Sequence, residues 1–276
     1  METKISDELN IDRKIPLYPG ERLEDLGNGL AIIQNPEYFC FGIDAVLLSW
    51  FAAPALKYKS RTAEIGTGTG IIPLLLCAKS KVANITAFEI QPHMAQMAAR
   101  SVALNRLQDR IEVVCEDIRT QQRIGASTLD VIVSNPPYVK TGTGLKNPKE
   151  SLAVSRHEIS LTAEDLLRFA STALKDKGRL FIVHKPERLT ELCQTGGKLG
   201  LELKRIQMVH PRIDRQANLV LAEFVKGGKP YLITEPPLIV YDGERYTDQI
   251  HTIYGTEGPS RTVLEECVSE KSGQES

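Results

Sequence analysis

Between residues 61 and 225 the chain alternates short runs rich in β-branched residues with longer segments of helical period, and nothing else narrows its fold as far. Strand, helix and strand in that rhythm mark βαβ units, in which parallel strands share one sheet and the crossover helices cover its faces. Strand-like runs lie at 62–65, 84–88, 111–115, 131–134, 179–184, 204–209 and 219–225. The segment 92–105 opens on Pro92, where a missing N–H costs nothing, and sets Met94, Met97, Ala98 and Val102 on one side of a helix. A second helix is expected over 161–178, with Thr162 as N-cap, Leu166, Leu167, Ala170, Ala173 and Leu174 as its apolar stripe, and Lys175, Lys177 and Gly178 as its stop. Asp165 stands where a full capping box has Glu or Gln, so the box is expected to be weak. Only the polar loop HPRIDRQAN separates the last two runs, too little for a crossover helix, so they should pair as an antiparallel hairpin.

Composition bounds the classes of function. At 42% hydrophobic and 25% charged residues the chain is too apolar for a disordered protein. Its longest apolar stretch, 46–56, is broken by Ser49 and Pro54 and falls short of the roughly 18 residues a membrane helix needs. The N-terminus METKISDELNIDRK places charges where a signal peptide has its apolar core, which predicts a cytoplasmic chain. Cys40, Cys77, Cys115, Cys193 and Cys267 are odd in number, widely spaced and mostly set in apolar runs, as expected of reduced and mostly buried thiols. No CxxC pair and no HExxH occurs, so no metal site is read. The net charge of -1 conceals -3 on the first twelve residues and -3 on the last twenty, which leaves +5 on the body between, a balance compatible with a polyanionic partner. No linker rich in Gly, Pro or Ser divides that body. One domain is expected over 23–256, between an N-terminal tail at 1–22 and an acidic tail at 257–276, with a loop-rich wrap after residue 226.

The first strand of the alternating region runs into EIGTGTG, Glu64 to Gly70, before a helix opens. Gly66, Gly68 and Gly70 can take backbone angles closed to other residues and let a ligand approach the main chain beside Thr67. A dinucleotide fingerprint requires Gly or Ala at its sixth position, where this chain has Ile71, and no Lys follows as in a phosphate loop. An acidic residue at the head of ExGxGxG suits a cationic cofactor without phosphate, and S-adenosylmethionine fits. Glu89, 19 residues beyond Gly70 at the end of the second strand, stands where a ribose hydroxyl acceptor belongs. Asp117, with Ile118 after it, closes the third strand, where an acceptor for the adenine amino group would sit. Singly, each carboxylate is an ordinary solvated strand end; together with the glycine loop they outline a cofactor site.

The fourth strand enters DVIVSNPPY. Pro136 and Pro137 have fixed φ and no N–H, so the turn presents the Asn135 side-chain oxygen and the Pro136 carbonyl as acceptors without a competing donor. Two acceptors aimed at one NH₂ group turn its lone pair toward a methyl donor, and Tyr138 can stack on the ring or amide that carries it. A merely rigid turn is the plain alternative.

Taken together, EIGTGTG, Glu89, Asp117 and NPPY resemble the class I S-adenosylmethionine-dependent amino methyltransferases. QNPEYFCFGIDAVLL (34–48), Arg156-His157-Glu158, the 161–178 segment, HKPERL (184–189), His210-Pro211-Arg212, PPLIVYD (236–242) and Ile253-Tyr254-Gly255 are similar to the bacterial tRNA1(Val) adenine-37 N6-methyltransferase family within that class. The resemblance covers about 23–255. It implies a Rossmann-like α/β fold with a seven-stranded, mostly parallel sheet whose last strand is antiparallel, S-adenosylmethionine as donor, and methylation of an adenine beside a tRNA anticodon. It further implies that Asn135, Pro136 and Tyr138 hold the adenine, that Gly66, Gly68, Glu89 and Asp117 hold the cofactor, and that Asp44 covers the cofactor's methionine end. For Asp44 an N-cap on a helix at 45–51 stands as the alternative.

A tRNA loop would need cations near the catalytic turn. Lys140, Lys146 and Lys149 follow Tyr138, and Lys204, Arg205, Arg212 and Arg215 surround the expected hairpin; ordinary solvated faces are the alternative. No stable protein partner is expected. NPPY alone does not separate adenine from a glutamine amide, as in the methyltransferases of peptide release factors. A nicotinamide-dependent oxidoreductase lacks support at Ile71, and a non-catalytic tRNA-binding module is at odds with Asn135 and Glu89.

Overall fold

The computed structural model describes residues 11–12, 14–27, 29–38, 40–137 and 161–255. Tyr138, Lys140, Lys146, Lys149, Arg156-His157-Glu158, Cys267 and most of the two tails lie outside them.

An antiparallel hairpin, β1 (Arg22–Gly27) and β2 (Leu30–Gln34), comes first, followed by α1 (Ile43–Ala52). The alternating region then gives β3 (Arg61–Ile65), α2 (Ile71–Lys79), β4 (Asn84–Phe88), α3 (Pro92–Leu104), β5 (Ile111–Val114), β6 (Leu129–Ser134), α4 (Ala163–Ala173), β7 (Leu174–His184), α5 (Leu189–Lys198), β8 (Leu201–His210) and β9 (Leu219–Lys226). In space the long strands run β8-β9-β7-β6-β3-β4-β5, with β9 antiparallel to both of its neighbours and the other pairings parallel. The expected hairpin is therefore β8–β9. The wrap adds β10 (Ile233–Thr234) and β11 (Leu238–Ile239), both parallel to β8 on its outer edge, so the sheet has nine strands rather than seven.

Both faces of the sheet are covered, which is why its strands read as near-continuous apolar runs. Val131, Val133, Phe181, Val183 and Leu221 face Leu47, Leu48 and Phe51 of α1 and Leu74 and Leu76 of α2. On the other face Ala63, Ile65, Ile132, Leu180 and Ile182 meet Leu166, Leu167 and Ala170 of α4 and Leu192 of α5.

Three expectations are corrected. The helix read over 161–178 stops at Ala173. Leu174 is extended and pairs with Leu129, Lys175 bonds Asp130 at 2.6 Å, and Lys177 takes φ 60, so Lys175 to Gly178 form a kink in β7 rather than a helix stop. A Cβ on Gly178 would sit 2.9 Å from the Lys175 carbonyl, which explains the glycine. The capping box is complete instead of weak: Thr162 Oγ1 accepts from Asp165 N at 3.1 Å, and an Asp165 carboxylate oxygen accepts from Thr162 N at 3.1 Å. The loop-rich wrap also carries a helix: Thr247 caps α6 (Asp248–Tyr254), whose Ile250, Ile253 and Tyr254 bury in the core cluster that contains α1. Of the four described cysteines only Cys77 is buried, and Cys115 is exposed just past the short β5.

The stretch read as an N-terminal tail includes Ile11, buried against Ala31, Ile33, Met97 and Leu104. Glu21 pairs with Arg100 of α3, whose guanidinium lies 4.0 Å from the Tyr18 ring centroid.

Candidate active site

Four parallel strands stop in register. Ile65 of β3 pairs with Phe88 of β4 and Ser134 of β6, and Phe88 pairs with Val114 of β5, so the loops that follow emerge along one edge of the sheet. In such sheets ligands bind beyond the carboxyl ends of the strands. Two kinds of bond tie the loops together. Gly66 N and Thr67 N donate to the Phe88 carbonyl at 2.9 and 3.0 Å, and Ser134 Oγ donates to the Ile65 carbonyl at 2.8 Å. The second joins the strand before Asn135 directly to the strand before the glycine loop.

Gly66 has φ 76, and a Cβ placed there would meet nothing within 4 Å, so the backbone is open to an approaching ligand. Gly70 has φ 92 and lies against Ala98 of α3, where a Cβ would come to 3.4 Å; its lack of a side chain serves packing. Glu64, at the end of β3, is fully buried. One carboxyl oxygen accepts from the Thr67 hydroxyl, and the other, Oε1, is buried without a partner. Burial pushes its pKa up to about 8, against the Thr67 bond and with help from the nearby charge of Glu89.

Glu89 is buried and laced to the glycine loop: Oε2 accepts from Gly68 N at 2.9 Å and Oε1 from Gln91 N at 3.0 Å. Burial raises its pKa, and these N–H groups counter the shift. Asp117 lies one loop over with both oxygens on Arg119, at 2.6 to 2.9 Å, which holds its carboxyl below the usual range. Ile118 turns inward and packs in the cluster with Phe88 and Val114. Asp44 sits in the first turn of α1 and accepts from Ala45 N at 2.9 Å; the N-cap is Gly42, with no side-chain cap bond, so the N-cap alternative for Asp44 does not hold. Asn135 is half-buried, Pro136 buried and Pro137 exposed.

Three contributors carry no assigned role in the sequence reading. Gln34, buried at the end of β2, donates to Thr69 Oγ1 and accepts from Phe41 N at 3.3 Å, joining the glycine loop to the FGIDA block. Ser134 is the second, and an isolated Ser before Asn carries no signal of its own. The third is His184 at the end of β7, whose Nδ1 accepts from Lys185 N at 2.8 Å; burial takes its pKa down to about 4, so it is neutral at physiological pH. Because Ile182 pairs with Ser134, His184 falls level with the NPPY turn.

The cations at the hairpin divide. Arg205 is half-buried and engaged within the fold: its Nε donates to buried Glu223 at 2.7 Å and its guanidinium stacks 3.9 Å from the Phe51 ring centroid. Lys204 Nζ donates to the carbonyls of Lys229 and Tyr231 at 2.8 and 2.6 Å, holding the wrap to β8. Arg212 and Arg215 are exposed in the β8–β9 loop.

Glu64 Oε1 is buried without a partner, Gly66 leaves the main chain bare beside it, and the carboxylates of Glu89 and Asp117 lie along the same edge. These acceptors fit the ammonium, ribose hydroxyls and adenine amino group of S-adenosylmethionine.

Comparison with known proteins agrees with this architecture. The family model described as "Methyltransferase small domain" matches residues 41–193. A tRNA1(Val) (adenine(37)-N6)-methyltransferase of Porphyromonas gingivalis is 32% identical over 188 residues, 66% of this chain and 73% of the relative. Its counterpart in Bacteroides fragilis is 37% identical over 67% of this chain and 77% of the relative. Among solved structures, a predicted O-methyltransferase from Agrobacterium tumefaciens superposes with TM-score 0.60 at 23% identity, covering 76% of this chain and 95% of that one. P. horikoshii TYW2 in complex with MeSAdo gives TM-score 0.55 at 14% identity over 76% and 73%. With the sheet order, the glycine loop and Asn135 to Pro137 in place, these relatives show that the chain belongs to the tRNA1(Val) (adenine(37)-N6)-methyltransferase family.

Proposed function

We propose that this protein transfers a methyl group from S-adenosylmethionine to the 6-amino group of adenine 37 in a valine tRNA. The observation that carries the reading is the Ser134–Ile65 bond, which fixes Asn135 and Pro136 on the same edge as Glu64, Gly66 and Glu89. The cofactor would supply an electrophilic methyl on a sulfonium centre. Glu64 would face its ammonium, with Thr67 orienting the carboxylate. Glu89 would accept from the ribose hydroxyls, Asp117 from the adenine amino group, and Ile118 would lie against the ring; Gly66, Gly68 and Gly70 form the loop around it. Asp44 is assigned to the methionine end.

On the substrate side, the Asn135 side-chain oxygen and the Pro136 carbonyl accept the two N6 protons and keep the nitrogen lone pair facing forward. Pro137 stiffens the turn, and the motif assigns Tyr138 to stack on the base. A target adenine must leave its stack to reach this edge, which costs least in a single-stranded loop. Arg212 and Arg215, with Lys140, Lys146 and Lys149, are assigned to the loop phosphates. The catalytic unit is taken as residues 23–256. Among the described residues no helix is long and apolar enough to cross a membrane; a tRNA substrate supports the cytoplasm as the site of the reaction.

Purified protein with labelled S-adenosylmethionine and unmodified tRNA should yield label in 6-methyladenosine after nucleoside digestion. Asn135→Ala should cut kcat at least roughly a hundredfold while cofactor affinity stays within about twofold. Label in a peptide release factor and none in tRNA would overturn the substrate assignment.

A further inference from the structure

The β8–β9 loop carries an arrangement that cofactor binding and methyl transfer leave unused. β8 is parallel to β6, so its carboxyl end rises from the same edge as the NPPY turn. On the rung where β6 ends, Ser134, Ile182, Ala222 and Ile206 line up across the four strands. β8 continues four residues beyond that rung, from Gln207 to His210, or roughly 13 Å past the end of β6 and three strand spacings, about 14 Å, to its side. The loop thus rises beyond the same edge of the sheet, to one side of the NPP segment, at a distance that a few nucleotides of single strand can bridge.

Its tip is a tight turn. Arg215 N donates to the Arg212 carbonyl at 3.1 Å, and the His210 ring donates through Nδ1 to the Arg215 carbonyl at 2.8 Å. Asn218 N closes the base of the loop on the Val209 carbonyl at 3.0 Å. The wrap braces it from outside: β11 pairs with Val209 and His210, and Val240 N and Tyr241 N donate to the His210 and Pro211 carbonyls, each at 2.9 Å. A loop so anchored is not a floppy connection, and the motifs HPR and PPLIVYD are the two sides of that brace.

At the apex Ile213 is 83% exposed, the most exposed large hydrophobic side chain among the described residues, and it stands between exposed Arg212 and Arg215 with only Asp214 to oppose them. A β-branched apolar side chain held out on a rigid turn gains nothing from folding. Flanked by two guanidiniums, it matches a polyanion that also offers flat apolar surface, which is the chemistry of an unstacked nucleic-acid strand. We propose that the turn 212–215 is a wedge for the tRNA loop: Ile213 packs against a base a few nucleotides from the target adenine, and Arg212 and Arg215 take the phosphates on either side. The wedge holds the neighbouring base out of the stack while Asn135 receives the target. It rests on the reading of a tRNA substrate.

The test measures binding and turnover separately. Dissociation constants for a fluorescent valine anticodon stem-loop are obtained as a function of salt, alongside kcat and KM for full tRNA and the affinity for S-adenosylmethionine. Ile213→Ala should weaken the stem-loop and raise the tRNA KM roughly tenfold, the scale for an Ile side chain losing its burial, with kcat, cofactor affinity and Tm unchanged. Its salt slope should match wild type, Ile213→Phe should restore affinity, and Arg212→Gln and Arg215→Gln should each lower the slope by about one. A wild-type enzyme that methylates tRNA while Ile213→Ala leaves both KM and stem-loop affinity within twofold overturns the wedge and leaves the methylation reading standing. Stem-loop binding that depends on Ile213 without any methyl transfer supports the wedge and overturns the methylation reading. A wild-type protein that binds no tRNA overturns both.

Discussion

Replacing Glu64 by Gln isolates the electrostatics of the cofactor edge. Free in an unfolded chain a Glu titrates near ~4.3, whereas burial holds this one up to about 8. The folded protein therefore keeps a proton that the unfolded chain releases, and stability falls as pH rises from the first value to the second. At ~1.4 kcal/mol per pH unit the loss between pH 5 and 7.5 is roughly 3 kcal/mol. Gln has the same shape, bonds Thr67 and carries no charge at any pH. Without cofactor the variant should match wild type near pH 5 and melt roughly 6–12 °C higher at pH 7.5. S-adenosylmethionine should reverse the order: its ammonium stabilises the ionised Glu64, so binding to wild type at pH 7 releases close to one proton, while the Glu64→Gln variant cannot pair and loses affinity. Melting curves from pH 5 to 8 read the first effect, and calorimetry in phosphate and Tris, whose ionisation enthalpies differ, reads the second. A gap in Tm that stays constant across that range, or cofactor binding with no proton released, refutes the reasoning.

The other tests follow the same contacts. Glu89→Ala should weaken S-adenosylmethionine at least roughly tenfold, measured by calorimetry, and should loosen the glycine loop by freeing Gly68 N and Gln91 N. Arg205→Ala leaves Glu223, only 5% exposed at its side chain, with Arg179 alone; urea denaturation should show a loss of roughly 2 kcal/mol, and the tRNA KM should not change, because Arg205 serves the sheet rather than the substrate. Ser134→Ala should cost about 1 kcal/mol and lower kcat more than cofactor affinity, since it unties the NPPY turn from β3 while the glycine loop keeps its own bonds.

Local chemistry was legible along the chain. The alternating periods defined the α/β class and located every long strand of the sheet, and the short HPRIDRQAN loop was enough to require an antiparallel pair. EIGTGTG and NPPY stood out because glycine and proline restrict the backbone at the residue itself, so their meaning needs no distant partner. What the chain did not disclose depends on contacts between segments far apart in sequence. Gln34 reaching Thr69 and Ser134 reaching Ile65 are ordinary polar residues until the fold brings a carbonyl or hydroxyl to them.

The same holds for charge. A lysine or arginine in sequence is only a cation, and whether it meets RNA or a carboxylate is settled by what the opposite strand presents. Glu223 pairs across the sheet with Arg205, which engages that guanidinium within the fold, whereas Arg212 and Arg215 are exposed beyond the end of β8. At the stretch from Lys175 to Gly178 the cations and glycine satisfied every local rule for a helix end. The tertiary structure overrode them, because Leu174 gains a strand partner in Leu129 and Lys175 gains Asp130. Residue type and spacing alone determined the fold class, the glycine loop and the stiff NPP segment that ends β6. Packing alone decided which carboxylate is left buried with an unpaired oxygen, which cations stay exposed, and how the wrap braces the hairpin, because each of these is set by what a side chain meets after the chain has folded.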